Sequence, residues 1–241
     1  MTLAPFTPEE LKERADRTRK LVTRLMLFAV VMFFAGLTSA YVVSMSGGYW
    51  VDIKIPQAFL VSTGAILVSS VLAQLALLSA QRGNSRVVAP YLIGTLVLGL
   101  VFTWSQFRGW KELTERGNFL VGKVLDNKGT YGDDYTIRFQ GVALIEEDGQ
   151  FFHPLDASRA KPLNADLDEQ KNTSSSFFFA LTGAHLAHLV IGLLSLLVMV
   201  AMALKQRYTP ADNAGLWSGV VYWHFLGILW VYLLLFLVFV H

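Results

Sequence analysis

The sequence predicts an all-α membrane protein: a bundle of five transmembrane helices, with a small extracytoplasmic insertion carrying a β-hairpin between helices 3 and 4. Three observations carry that prediction. Hydrophobic residues make up 54% of the 241 and charged residues only 16%, against about 25% charge in a soluble domain, and mean hydropathy is +0.46. The missing charge vanishes from a few long runs, which therefore have no polar face to turn to water. Five of those runs reach the roughly 20 apolar residues that a helix needs to cross a hydrocarbon core of about 30 Å. The chain has no cysteine, which excludes thiolate zinc, iron–sulfur and cysteine-bridged copper chemistry. A net charge of +2 without a basic stripe gives no footing for nucleic acid.

Residues 1–24 are polar and read as a cytoplasmic segment ahead of a retained first helix, because no small-residue cleavage site follows them. Residues 25–106 hold the first three spans, at about Leu25–Val43, Phe59–Leu78 and Val88–Trp104. Pro56 precedes the second. Pro90 is expected in the first turn of the third, where a missing N–H matters little. Residues 176–241 hold the last two spans, at about Phe177–Leu204 and Leu216–Val240.

Orientation follows from Lys and Arg in the short loops. Lys12, Arg14, Arg17, Arg19, Lys20 and Arg24 precede the first span, Arg82 and Arg86 join the second to the third, and Lys205 and Arg207 join the fourth to the fifth. Five crossings put all three groups on one side, which places the N-terminus in the cytoplasm and His241 outside. Arg108, Lys111, Arg116 and Lys123 oppose this, but they open a long segment, and long segments translocate largely regardless of charge.

That segment, residues 107–175, holds nine Lys or Arg and twelve Asp or Glu, a net of −3. Trp110 is an aromatic anchor at the interface. Tyr135–Phe139 alternates like a strand, and Asp148-Gly149 between two apolar runs signals a hairpin turn. Lys161–Ser176, rich in Asn, Asp and Ser, reads as irregular.

Ionisable groups inside the spans are few. The fourth carries Thr182-Gly183-Ala184-His185-Leu186-Ala187-His188 and the fifth Tyr222-Trp223-His224. His185 and His188 share a helix face, and Gly183 and Gly192 near it let another helix approach. One reading makes His185 or His188, with His224, axial ligands of a haem; the other makes them neutral hydrogen-bonded joints between helices. A metal would want a supporting carboxylate and none lies in any span, which also argues against a proton relay. Gly36 and Ala40 suit a close helix contact. Ser62, Thr63, Ser69 and Ser70 can bond back to their own helix or across to another.

These residues resemble subunit III of the haem–copper cytochrome oxidases, in its five-helix form. Thr182-Gly183-Ala184-His185-Leu186-Ala187-His188 through Gly192 is similar to the family's Thr-Gly-x-His-x-x-His-Val-x-x-Gly signature, and Tyr222-Trp223-His224-Phe225 followed by Trp230 to its Tyr-Trp-His-Phe-x-x-x-x-Trp signature. Met32 to Gly36 with Ala40-Tyr41, then Pro56, Ser62-Thr63 and Ser69-Ser70, then Leu98-Gly99, Phe102 and Gln106 support it on the first three spans. The stretch from about Lys111 to Lys171 has no counterpart. Three family acidic positions are also lost, since they align with Val30, Gly227 and Trp217.

The resemblance implies a non-catalytic core subunit of a terminal oxidase that reduces dioxygen to water with proton translocation in the cell inner membrane. It would have no cofactor of its own and no catalytic or metal residue, since haems and copper would sit in subunits I and II. Thr182, Gly183, His185, His188, Gly192, Tyr222, Trp223, His224 and Trp230 would form a polar helix–helix core. Phospholipid is expected along the first two spans near Phe33, Gly36 and Ser69, with head groups near Arg24 or Arg82. Cytochrome c or quinol would supply electrons to the complex. The insertion would face the donor's compartment, where Glu146, Glu147 and Asp148, with Asp133 and Asp134, would either add to a field that steers a basic donor or, as the favoured reading, belong to a solvated cap packing on subunit I or II. The alternatives are a subunit III-like protein of a nitric oxide reductase and a haem-bearing membrane cytochrome.

Overall fold

A computed structural model describes residues 7–240. Residues 1–6, and His241 which marks the outer terminus in the orientation argument, lie outside the described residues. The chain is mostly helical, and five of its helices are long and apolar enough to cross a membrane. It is a multi-pass membrane protein.

Helix α1 (Pro8–Met45) begins well before the first span. Thr7 and Glu10 form a reciprocal cap: the Thr7 N–H donates to Glu10 Oε2 at 2.8 Å and the Glu10 N–H to Thr7 Oγ1 at 3.3 Å, with Pro8 in the first helical position. The polar N-terminal segment is thus largely a helical extension of the first span. Strand β1 (Tyr49–Ile53) follows, then α2 (Ala58–Gln81) and α3 (Ser85–Glu115). Because α3 starts at Ser85, Pro90 lies inside it rather than in its first turn. The carbonyl left without a partner belongs to Arg86, where the helix emerges and water can reach it.

Helix α3 also runs past Phe107 into the insertion and stops at Gly117, whose φ is +82°. A Cβ there would lie 1.8 Å from the Asp126 carbonyl oxygen, so only glycine fits. After a 3₁₀ turn at Val124–Asp126 come β2 (Tyr135–Phe139), β3 (Val142–Ala143), β4 (Ile145–Glu147) and β5 (Gln150–Phe152). Strands β4 and β5 are the expected hairpin, turning on Asp148 and Gly149 with φ of 52° and 77°, as a two-residue type I′ turn requires. The stretch read as irregular contains a short helix, α4 (Asn164–Glu169). Helices α5 (Thr173–Leu204) and α6 (Ala214–Phe239) complete the chain.

Sequence reading left β1 as plain connection. It pairs antiparallel with β2, Val51 opposite Ile137, in a three-stranded sheet of order β1-β2-β3. The alternation Tyr49-Trp50-Val51-Asp52-Ile53 was its signal. Asp52 accepts from Thr136 Oγ1 at 2.9 Å and pairs with Arg138 at 2.5 Å, and Ser174 Oγ donates to the Val51 carbonyl at 2.5 Å.

The chain divides into two compact units, each drawing a stretch from all five long helices. One comprises Met1–Phe33, Gly64–Val101 and His188–Leu229; the other comprises Phe34–Thr63, Phe102–Ala187 and Trp230–His241, and holds the strands.

Candidate functional site

Within the unit that holds the strands, the helix interior is joined by one repeated device. A side-chain N–H or O–H on one helix donates to a hydroxyl on another. That hydroxyl spends its own hydrogen on a carbonyl three or four residues back in its helix. Trp230 Nε1 donates to Thr63 Oγ1 at 2.9 Å, and Thr63 Oγ1 donates to the Phe59 carbonyl at 2.7 Å. Trp110 Nε1 donates to Thr182 Oγ1 at 3.0 Å, and Thr182 to the Phe178 carbonyl at 2.8 Å. Gln106 Nε2 donates to Ser62 Oγ at 2.9 Å, and Ser62 to the Phe59 carbonyl at 2.8 Å. Tyr232 donates to Thr38 Oγ1 at 3.2 Å, and Thr38 to the Phe34 carbonyl at 3.0 Å. A hydroxyl has one hydrogen and two acceptor sites, so back-bonding and cross-helix bonding occur together rather than as alternatives. This satisfies polar groups where water is absent.

His185 lies in the same unit and is fully buried. Its ring is 5.3 Å from Trp230 and 5.8 Å from Phe102, which are themselves 5.1 Å apart edge to face. Aromatic packing, rather than an open ligand position, surrounds this histidine. A Cβ at Gly183 would meet nothing within 4 Å, and the same holds at Gly36. Neither glycine therefore makes the close helix contact expected of it; both faces are open within this chain.

The device recurs in the other unit. Trp223 Nε1 donates to Ser69 Oγ at 3.0 Å and Ser69 Oγ to the Ile66 carbonyl at 2.7 Å, while Thr95 Oγ1 reaches the Ser69 carbonyl at 3.4 Å. Ser69 is fully buried, which corrects its assignment as a lipid contact: its hydroxyl faces the indole and not the bilayer. Two glycines make room for Trp223. A Cβ at Gly99 would lie 2.8 Å from its ring, and one at Gly192 would lie 3.3 Å from it. Tyr222 donates to the His188 carbonyl at 2.9 Å, and the His188 ring packs near Phe33 at 6.2 Å. His224 Nε2 bonds Gln74 Oε1 at 3.1 Å. Gly227 is buried, and a Cβ there would lie 3.2 Å from Ser70 Oγ and 3.6 Å from Ile66. Phe33, Arg24 and Arg82 are exposed, with Arg24 and Lys20 stacked over Trp217 at 6.0 and 5.5 Å.

On the insertion, Glu146, Glu147 and Asp148 are exposed on the β4–β5 hairpin but are not equivalent. Glu147 is paired with Arg159 at 2.8 Å, and that guanidinium holds its carboxyl below the usual range. Glu146 accepts the Gly149 N–H at 3.1 Å. Asp133 and Asp134 line a separate pocket with Asp52, Lys54 and Leu237. His153 accepts the Leu155 N–H at 3.2 Å and packs near Phe139. Among the described residues no three His, Cys, Asp or Glu side chains gather in a way that could hold a metal ion.

These features define a class: a multi-pass membrane protein in which Trp110, Trp223, Trp230 and His224 bond across helices. The family model for cytochrome c oxidase subunit III matches residues 164–241, the stretch that holds α5 and α6. The cytochrome c oxidase subunit 3 of Corynebacterium diphtheriae is 26% identical over 217 residues, covering 87% of this chain and 82% of that protein. The probable subunit 3 of Mycobacterium leprae is 24% identical over 87% of this chain and 81% of its own length. A shorter stretch of 58 residues is 36% identical to the subunit 3 of Papio hamadryas, covering 24% of this chain and 22% of that protein. The chain is thus similar to subunit III of the haem–copper oxidases, over its last two spans by the family model and over most of its length by these relatives.

Proposed function

We propose that this chain is a non-catalytic core subunit of a proton-translocating haem–copper oxidase, packing on subunits I and II, which carry the haems and copper. The observation that supports this best is a coincidence of place. The matched stretch contains Thr182, His185, His188, Tyr222, Trp223, His224 and Trp230, and these same side chains join or fill the helix interior. Neither the nitric oxide reductase partner nor the haem-bearing cytochrome is favoured by the comparisons. In this reading the chain sits in the cell inner membrane with its N-terminus cytoplasmic and its C-terminus outside, as the basic loops argue. Phospholipid lies along the exposed faces of α1 near Phe33 and Gly36, with head groups at Arg24 or Arg82, whose planar donor forks suit phosphate. Cytochrome c or quinol feeds the complex, and the insertion acts chiefly as a solvated cap.

Tagging the chain and identifying the large subunit that co-purifies tests the reading. The expected product is an assembly that consumes dioxygen, with all haem signal accounted for by the other subunits. Co-purification with a nitric oxide reductase, or a haem spectrum from this chain alone, would overturn it.

A further inference from the structure

A groove of about 420 Å³ lies within the unit that holds the strands, between the first turn of α2 and the far end of α3. Its floor is apolar: Ala58, Val61 and Trp104, closed by the Ser105 hydroxyl, which donates to the Ala58 carbonyl at 2.7 Å. The two helices are held close, since a Cβ at Gly109 would lie 2.7 Å from the Phe59 ring. Above the floor α3 carries charges in a definite order. Arg108 comes first, its guanidinium 4.8 Å from the centroid of the Trp104 ring; it makes no ion pair among the described residues. One turn further out are Lys111 and Glu112, and a turn beyond that Glu115. Glu112 is committed to Arg116 at 2.6 Å, whereas Lys111 and Glu115 form only a loose, exposed pair at 3.7 Å.

Read outward from the apolar floor along Trp104, Arg108, Lys111 and Glu115, the lining is thus hydrocarbon, then cation, then anion, with successive steps of about 6, 4.5 and 6 Å of helix rise. A membrane aminophospholipid has the complementary order: acyl chain, phosphate, then ammonium. We propose that this groove binds one molecule of a phosphatidylethanolamine-type lipid, its phosphate held by Arg108 and Lys111 and its ammonium by Glu115. Stacking on Trp104 keeps the Arg108 fork in the plane a phosphate approaches. The ammonium replaces Lys111 at Glu115 and releases Lys111 to the phosphate, so both carboxylate and phosphate gain charge-assisted hydrogen bonds. A phosphatidylglycerol head would leave Glu115 unmatched, and a choline head has no N–H to donate. The site is separate from the lipid positions on α1 proposed above and rests on α3 crossing the membrane.

The test is native mass spectrometry of the complex that the tagged chain brings down, exchanged into equal phosphatidylethanolamine and phosphatidylglycerol. The wild type should retain one phosphatidylethanolamine that Arg108→Gln loses, with the remaining bound lipid unchanged. Glu115→Gln should shift selectivity toward phosphatidylglycerol by about tenfold, equivalent to about 1.4 kcal/mol. Glu115 is exposed, so this variant decides the matter even if Arg108→Gln does not assemble. Equal retention of the two lipids by the wild type, or unaltered selectivity in Glu115→Gln, overturns the proposal. An intact complex in either case leaves the subunit reading standing.

Discussion

The joint between Trp223 and Ser69 allows a quantitative test of how the helices are held. Trp223 is 1% exposed and Ser69 not at all. The indole N–H reaches the serine hydroxyl at 3.0 Å, and the serine hydrogen is already given to Ile66. Ser69→Ala leaves a buried indole donor unpaired, a loss of about 1–3 kcal/mol. Trp223→Phe removes the same bond and leaves a small void beside Gly99 and Gly192, which should destabilise by about 1–3 kcal/mol. Because both substitutions delete one interaction, the double variant should be less damaged than the sum. The difference should fall near the 0.6–1.7 kcal/mol found for interhelical hydrogen bonds in membranes. Reversible titration of the purified full chain with sodium dodecyl sulfate in mixed micelles, followed by near-ultraviolet circular dichroism, supplies the four free energies. Additivity within about 0.3 kcal/mol would show that the bond adds nothing, and that Trp223 acts through packing alone.

His224→Ala should loosen α6 by about 1–2 kcal/mol by unpairing Gln74, measurable in the same titration, while the assembled complex keeps its full haem and copper content. Gly117→Ala should open the start of the insertion, because a Cβ meets the Asp126 carbonyl at 1.8 Å; faster proteolysis between residues 117 and 128 is the readout. Neutralising Glu146, Glu147 and Asp148 together should leave donor kinetics unchanged at every ionic strength if the insertion is only a cap. A slowing at low salt that disappears near 0.15 M, where screening acts over about 8 Å, would make it a steering surface. Glu147 is held below its usual carboxyl range by Arg159, so its contribution to the hairpin is present above the unfolded pKa and is lost as pH falls through the lower folded one. Amide exchange at Gln150 should therefore rise as pH falls below the ordinary glutamate range.

The spans were legible because absence of charge over about 20 residues has few other meanings. The β4–β5 turn was legible because Asp-Gly is suited to two consecutive positive φ angles. Strand β1 was missed because its alternation covers only five residues between two spans, and its partner lies more than eighty residues away. The direction of Ser69 was missed for a different reason. A serine in an apolar helix has no sequence signal for which face it occupies; only the indole it meets decides that. The motif residues were legible as a group, but not their individual work. His185 and His188 sit three apart, yet one is enclosed by rings and the other offers a carbonyl to Tyr222.

The pairing of β1 with β2 sets an order on synthesis. Asp52 and its partner Thr136 are separated by 84 residues, and Val51 waits 123 residues for Ser174. At about 5–20 residues per second, β1 is made roughly 4–17 s before β2 exists and still longer before α5 begins. In that interval two spans, α2 and α3, must be inserted, and a strand with an unpaired edge waits on the membrane surface. Its shortness, five residues with Asp52 near its end and Lys54 just beyond it, limits the chance that another chain adds to that edge. The sheet therefore closes late, and its closure marks the point at which the first and second inter-span connections of this side have both arrived.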